Sequence, residues 1–137
     1  MIISQFSTLP DHAIHIRKLV FMQEQGFEQE FDTIDDVATH LVAYVGNVPV
    51  ATCRIWMDRE GYHVGRIAVI REYRGRGLGK NLLEHTEAYV QSLGGSCLSL
   101  HAQCRAVDFY RNCGFVPYGE VDYDEGVEHV HMMKYLD

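Results

Sequence analysis

Much of what would take this chain out of the ordinary globular class is missing from it. No apolar run approaches the roughly 20 residues that a membrane-crossing helix needs. The opening segment, Met1 to Phe6, has no positive n-region and no cleavage site, and reads as a first strand. No linker, internal repeat or low-complexity stretch breaks the chain. Its 4 cysteines, Cys53, Cys97, Cys104 and Cys113, include no Cys-x-x-Cys pair. At this length they read as reduced core thiols of a cytoplasmic protein, not as a disulfide framework. Basic residues are outnumbered, 12 Lys and Arg against 19 Asp and Glu, for a net charge of −7. That balance counts against nucleic acid as a main partner and mildly favours a cationic substrate.

What is present suits one domain over residues 1–137. The hydrophobic content of 47% and charged content of 23% are ordinary for a soluble fold, and a chain of this length can bury most of its unfolded surface. Ile2 to Phe6 reads as a strand. Thr8-x-x-Asp11 with Pro10 is a helix start; Ala13, Ile16, Leu19 and Val20 follow at helical spacing, and Gly26 ends the helix. Residues 27–39 are acidic and irregular, read as a short helix and a loop. They form either a solvated face or a wall attracting an amine. Strands over His40–Val45 and Val48–Met57 flank the hairpin signal Gly46-Asn47, and Arg59-Glu60-Gly61 turns into a strand over Tyr62–Ile70. Leu78, Leu82, Tyr89, Val90 and Leu93 form one helix face, ended by Gly94-Gly95. A strand over Cys97–His101, a short helix from Ala106 to Cys113, and strands near Phe115–Tyr118 and His129–Tyr135 complete an α/β fold, a mixed sheet covered by helices.

One stretch stands apart from the acidic background. Between Arg66 and Lys80 an apolar strand runs into a glycine loop and then a helix. Arg66, Arg71, Arg74, Arg76 and Lys80 face Glu72 alone. Helix N-terminal amides have no intrahelical partner and favour negative charge. Gly75, Gly77 and Gly79 clear side chains from those amides, so the turn suits a phosphate. It is no P-loop, because Asn81 follows Lys80 where Ser or Thr is required. It is no dinucleotide fingerprint, because Lys80 stands where the third glycine belongs. An exposed arginine–glycine turn or a nucleic-acid patch are the plainer alternatives.

Arg74-x-x-Gly77-x-Gly79 resembles the acyl-coenzyme A loop of the GNAT superfamily of N-acetyltransferases, Gln/Arg-x-x-Gly-x-Gly/Ala. Ala106-x-x-Phe109-Tyr110-x-x-x-Gly114-Phe115 matches that superfamily's second landmark, one helix and one strand further on. Arg17-x-x-Val20-Phe21-x-x-Glu24-Gln25 and Glu125-Gly126-x-x-His129-x-x-Met132 resemble the ElaA-related branch. The resemblance spans nearly the whole chain. It implies a single-domain acyl-CoA N-acyltransferase fold, a twisted mixed sheet flanked by helices, with acetyl-CoA as cosubstrate. The acceptor would be a small-molecule or peptide amine, and a homodimer is reasonable.

The resemblance also implies site residues. The strand before the loop would splay from its neighbour, so that pantetheine pairs with the edge at Ile67, Ala68 and Val69, where a backbone N–H could polarise the thioester carbonyl. Arg74, Gly75, Arg76, Gly77, Leu78, Gly79 and Lys80 would hold the pyrophosphate, Arg74 mattering more than Arg76 if its side chain folds over the loop. Gln103 stands where an Asn often reaches the pantetheine amide, and Asp108 and Phe109 would contact the coenzyme. Tyr110 would be the general acid, since a phenol can protonate a departing thiolate. The base is less legible: His63, His101, His129, His131, Glu60 and Glu125 are all conceivable, and His101, ending its strand near the cleft, is preferred. His129-x-His131 hints at a metal. No carboxylate or cysteine stands at ligand spacing beside it, so none is expected. Neither Cys104 nor Cys113 is marked as a nucleophile, so direct transfer in a ternary complex is favoured. The alternative is a non-catalytic acyl-CoA binder or sensor.

Overall fold

The computed structural model describes all 137 residues. The strands are β1 (Ile2–Phe6), β2 (Thr39–Val45), β3 (Val48–Asp58), β4 (Gly61–Val69), β5 (Cys97–Gln103), β6 (Val116–Asp124) and β7 (Val127–Tyr135). The helices are α1 (Asp11–Arg17), α2 (Leu78–Ser92) and α3 (Val107–Asn112). One mixed sheet runs in the order β1-β2-β3-β4-β5-β7-β6, with β4 and β5 its parallel pair.

Strand alternation divides the core between the two faces of this sheet. On β2, Leu41 and Ala43 join the larger cluster with Leu78, Leu82, Leu83 and Val90 of α2, whereas Val42 joins Ala13, Ile16 and Val20 below α1. The period-2 geometry of a strand requires that division. Two-residue turns carry the hairpins: Val45 pairs with Val48 around Gly46-Asn47, and Asp124 with Val127 around Glu125-Gly126. Both residues of the latter turn have positive φ, +48° and +78°, as a type I′ turn requires.

Several local expectations change. Thr8 does not cap α1; Pro10 occupies the cap, and its carbonyl accepts from the amides of Ala13 and Ile14. A preset proline φ starts the helix without a side-chain acceptor. Helical backbone does reach Gly26, but Lys18–Glu24 widens into a π-helix, with Gln25 N bonding Val20 O. The acidic segment holds a single tight turn, Thr33–Asp36, closed by a capping box between Asp32 and Asp35. β5 extends to Gln103 and β6 to Asp124, because each continues to pair with β7.

That acidic segment is only partly a solvated face: Glu28, Asp32 and Asp36 are exposed, whereas Glu30, which lines a cleft, and Asp35 are drawn into a buried ion network. Glu30 and Asp35 are buried, at 4% and 5% exposure, with Arg17 and Arg54 at 1% and 2%. Arg17 grips Asp35 with two bonds of 2.7 and 3.1 Å and reaches Glu30 at 3.2 Å. Arg54 bridges Asp32 at 2.6 Å and Asp35 at 3.0 Å, and Arg66 holds Glu30 at 2.8 Å. Buried charge is tolerated only when paired in this way. Burial raises the Asp35 carboxyl, but hydrogen bonds from Arg17, the Asp32 backbone and Arg54 outweigh it and hold the group at about 2.

Asp35→Asn should therefore cost about 3–5 kcal/mol at neutral pH, because two buried guanidiniums lose their counter-charge. The native carboxyl lies below its ordinary 3.8, so its stabilisation is present above that value and fades as pH falls toward about 2. Urea unfolding from pH 7 to pH 2 should show the gap between wild type and variant closing over the last two units; a constant gap would contradict this account.

Candidate active site

β4 and β5 are joined only at their beginnings. Their pairing is confined to Tyr62 with Leu98 and His63 with Ser99, so the β5-facing edge from Val64 to Val69 has no partner strand. On the other side of β4, the register with β3 shifts between Thr52 and Arg54. The extra residue is on β4, where Arg66 and Ile67 stand against Cys53 alone, and Arg66 adopts φ +51°, unusual for a residue with a side chain. The bulge bends β4 away from β5 and opens the sheet. The splay implied by the family resemblance is thus a feature of this chain.

Two clefts occupy the opening. One, of about 440 Å³, runs from the β4 edge at Ile67, Ala68 and Val69 to the glycine turn at the start of α2. The other, of about 190 Å³, lies toward the acidic segment and includes Glu30, Arg66, His101, Gln103, Asp124 and His129. Gln25, Ile67, Ala106 and Tyr110 line both. Tyr110 sits on α3 between Phe109 and Phe115, with edge-on ring contacts to each. Its hydroxyl bonds to no protein group, yet Arg54 Nε is the one fully buried side-chain polar atom without a partner. The phenol therefore opens onto the clefts. Burial pushes its pKa above the ordinary value.

The glycine turn leaves backbone amides open ahead of α2. Gly75 and Gly77 both have φ +78°, which β-carbons would strain. Asn81 N bonds Gly77 O, the first helical bond of α2, so the preceding amides have no helical acceptor. At Gly79 the reason for glycine differs: an added Cβ would stand 3.1 Å from the Phe109 ring.

The cations are placed otherwise than the sequence suggests. Arg74 lines the larger cleft, but its guanidinium is engaged there: Nε donates to Val69 O at 2.9 Å and the two terminal nitrogens clasp Glu24 with 2.7 Å bonds. Those bonds hold Glu24 at about 2. Arg71 also leans on Glu24, and Arg66 belongs to the buried network. Arg76 lies over the Tyr73 ring and lines neither cleft, whereas Lys80 does line the larger one. The concentrated basic patch is therefore largely neutralised, which weakens the nucleic-acid alternative further.

The remaining expected residues separate. Gly75, Gly77, Leu78, Gly79 and Phe109 line the larger cleft; Asp108 lines neither. Gln103 lies on the smaller side, donating to Gln25 Oε1 at 2.8 Å and accepting from Arg105 at 2.7 Å. Its amide is thus engaged away from the coenzyme edge. His101 lines the smaller cleft, with Nε2 2.7 Å from Asp122. His63 is bonded to Asp58 and stacked on Trp56. Glu125 accepts from the amides of Glu28 and Gln29, at 3.0 and 3.2 Å. Glu30 was anticipated only as one member of the acidic run that could wall the amine site, and was missed as a candidate base, because nothing in that run marks it as buried. In place, burial raises its carboxyl to about 7 against the pull of Arg66 and Arg17. Gln25 was missed as a site residue too, although it belongs to the motif shared with the ElaA-related branch.

Comparison with known proteins follows the same line. Residues 10–136 match the family described as an acetyltransferase (GNAT) domain. The uncharacterized N-acetyltransferase YjcF of Bacillus subtilis is 34% identical over 126 residues, 89% of each chain. The crystal structure of Escherichia coli ElaA matches with a TM-score of 0.83 at 25% identity, covering 97% of this chain and 99% of that one. An acyl-CoA N-acyltransferase from Pseudomonas aeruginosa matches with a TM-score of 0.84 at 25% identity, over 97% and 98%. No helix is long and apolar enough to cross a membrane.

The Glu125 carboxylate ties the β6–β7 turn to the loop that brings Gln29 and Glu30 to the smaller cleft. Glu125→Ala should speed amide hydrogen exchange at Glu28 and Gln29 by roughly tenfold, as two charge-assisted bonds are lost. Unchanged exchange there would mean the buried ion network alone holds the loop.

Proposed function

The chain belongs to the GNAT family of acetyltransferases, and we propose that it moves an acetyl group from coenzyme A to a primary amine by direct transfer in a ternary complex. The observation that carries this reading is the meeting of two clefts at one phenol. The larger cleft offers an open strand edge and an anion nest, which suit pantetheine and pyrophosphate. The smaller offers carboxylates and imidazoles, which suit an amine. Its 190 Å³ admits the amine end of a small molecule or a peptide.

In this mechanism pantetheine extends β4 by strand addition along Ile67, Ala68 and Val69, and a backbone N–H polarises the thioester carbonyl. The pyrophosphate rests on amides of the turn at Gly75 and Gly77 and of the first turn of α2 at Gly79, with Lys80 the nearby cation. With Arg74 engaged by Glu24, backbone dipoles carry the larger share of that recognition. The neutral amine attacks the carbonyl carbon, the carbon–sulfur bond breaks, and the Tyr110 phenol gives its proton to the leaving thiolate. A proton leaves the amine toward the smaller cleft. His101 and Glu30, which line that cleft, are the candidates to receive it, and a carboxyl near 7 suits a base working at neutral pH.

Acetyl-CoA at a hundredfold excess over its dissociation constant should raise the melting temperature by roughly 5–10 °C. Gly77→Glu should abolish that shift, since its carboxylate would occupy the nest. Gly77→Asn, which tolerates positive φ, should retain most of it. An undiminished shift in the Glu variant would remove the phosphate role of this turn.

Tyr110→Phe should lower kcat by roughly 10²–10⁴-fold while leaving coenzyme affinity nearly unchanged. Because burial raises the phenol, wild type should show no Tyr110-dependent decline in rate below about pH 10. Glu30→Gln and His101→Gln then divide the base: the variant that removes the acidic limb of the pH–rate profile identifies it. A fall under about threefold in Tyr110→Phe, with chemistry rate-limiting, would return that side chain to a packing role. A complete lack of turnover in wild type across a broad amine panel, with coenzyme retained, would favour the acyl-CoA sensor.

A further inference from the structure

Beyond the clefts, the outer strands gather a group of side chains that acyl transfer leaves unexplained. His101 on β5 and His131 on β7 are register partners, so their side chains share one sheet face. Their rings stack with centroids 4.4 Å apart and an interplanar angle of 19°. In sequence His129-x-His131 lacks a carboxylate companion, which argues against a metal there. The fold supplies one from the next strand: the β6–β7 register slips between Tyr118 and Asp122, with Gly119 at φ +77° inside the irregular stretch. Beyond it, Asp122 meets His101 Nε2 at 2.7 Å. His129, in contrast, is buried and committed through Nδ1 to Val127 O at 2.8 Å. It forms a floor beneath His101, their centroids 4.7 Å apart.

We infer that His101, Asp122 and His131 form a binding site for a divalent transition-metal ion of the zinc type at the lip of the smaller cleft. One ligand atom from each lies within 4.8 Å of the others. Around zinc, with bonds of about 2.0–2.2 Å, tetrahedral ligand atoms stand roughly 3.3–3.5 Å apart. To reach that spacing the two stacked rings must swing apart until their nitrogens face one point, and the ion must replace the His101–Asp122 hydrogen bond; all three side chains are exposed and free to make that change. Tyr118 stacks on His131, with centroids 5.7 Å apart, and helps to hold its ring. Two imidazoles and one carboxylate leave a coordination position for water, the pattern of an open zinc site. The donor set favours zinc, nickel or copper over magnesium or calcium, which prefer all-oxygen shells. An ion here takes the Nε2 lone pair of His101. Occupancy therefore excludes any proton-accepting role for that nitrogen, a consequence that rests on the acyl-transfer reading, whereas the site itself does not.

Isothermal titration of the tag-free, chelator-treated full chain with Zn²⁺, and separately with Ni²⁺, tests the site without reference to activity. One ion per chain is expected, with saturation well below millimolar metal and no heat from Mg²⁺. His131→Ala and Asp122→Asn should each weaken binding by about tenfold or more, and His85→Ala should leave it unchanged. Both altered positions are exposed, and circular dichroism checks that the variants are folded. Co²⁺ absorption in the visible range gives a second readout, an intense tetrahedral spectrum that the His131 variant loses. Absence of saturable binding, or equal affinity in wild type and both site variants, would overturn the proposal.

Discussion

Three guanidiniums and three carboxylates, buried or half-buried together, hold the working parts of this molecule in place. Arg17 comes from α1, Arg54 from β3 and Arg66 from the β4 bulge, and all converge on the loop carrying Glu30, Asp32 and Asp35. Desolvating so many charges is unfavourable by itself. The cluster persists because nearly every lone pair and N–H is satisfied. His40 adds a bond to the Asp35 carbonyl, and Arg54 Nε is the single group left over. Such a network has few alternative arrangements, since each partial one leaves a charge bare. It locks an otherwise irregular acidic loop and holds Arg66 in its unusual backbone conformation at the point where β4 leaves β5.

From that bend follows the division of labour across the sheet. A strand edge without a partner is a hazard in most folds. Here it lies between a helix N-terminus and a phenol, where an extended ligand arm can complete the sheet. The edge and the glycine turn lie along one cleft, the acidic loop and the histidines along the other. Tyr110 belongs to both because α3 lays it across the mouth of the splay. In the proposed reaction the two substrates approach from opposite sides and exchange the acyl group at that junction. A ternary mechanism needs this geometry, and it needs no nucleophile from the protein.

The charges are distributed with the same economy. A basic segment in an acidic protein suggests arginines waiting for phosphate, yet Arg66, Arg71 and Arg74 all have internal carboxylate partners. Arg74 in particular fastens the end of β4 to the π-helical turn through Glu24. It shapes the glycine turn and, in the proposed function, leaves recognition of the anion chiefly to backbone N–H groups. The histidines show a similar transfer of roles. His129 is structural, His63 is paired with Asp58, and His101 lies at the border between the smaller cleft and the outer strands.

The sequence by itself determined the features that depend on neighbours along the chain. The order of strands and helices, the Gly46-Asn47 turn, the glycine turn before α2 and the helix carrying Tyr110 all follow from short-range periodicity and glycine and proline placement. Its motifs also identified the family, because the loop and the aromatic helix each need fixed local spacing. Tertiary structure decided what each charge and each imidazole meets. Arg17 and Asp35 are 18 positions apart, Arg74 and Glu24 are 50 apart, and Asp122 lies 21 from His101. No local pattern encodes such pairings. The capture of Arg74, the burial of Glu30, the floor made by His129 and the carboxylate beside the histidine pair appear only when the sheet is assembled. Side-chain electrostatics is set by desolvation and by partners within a few ångströms, and both are properties of the folded packing.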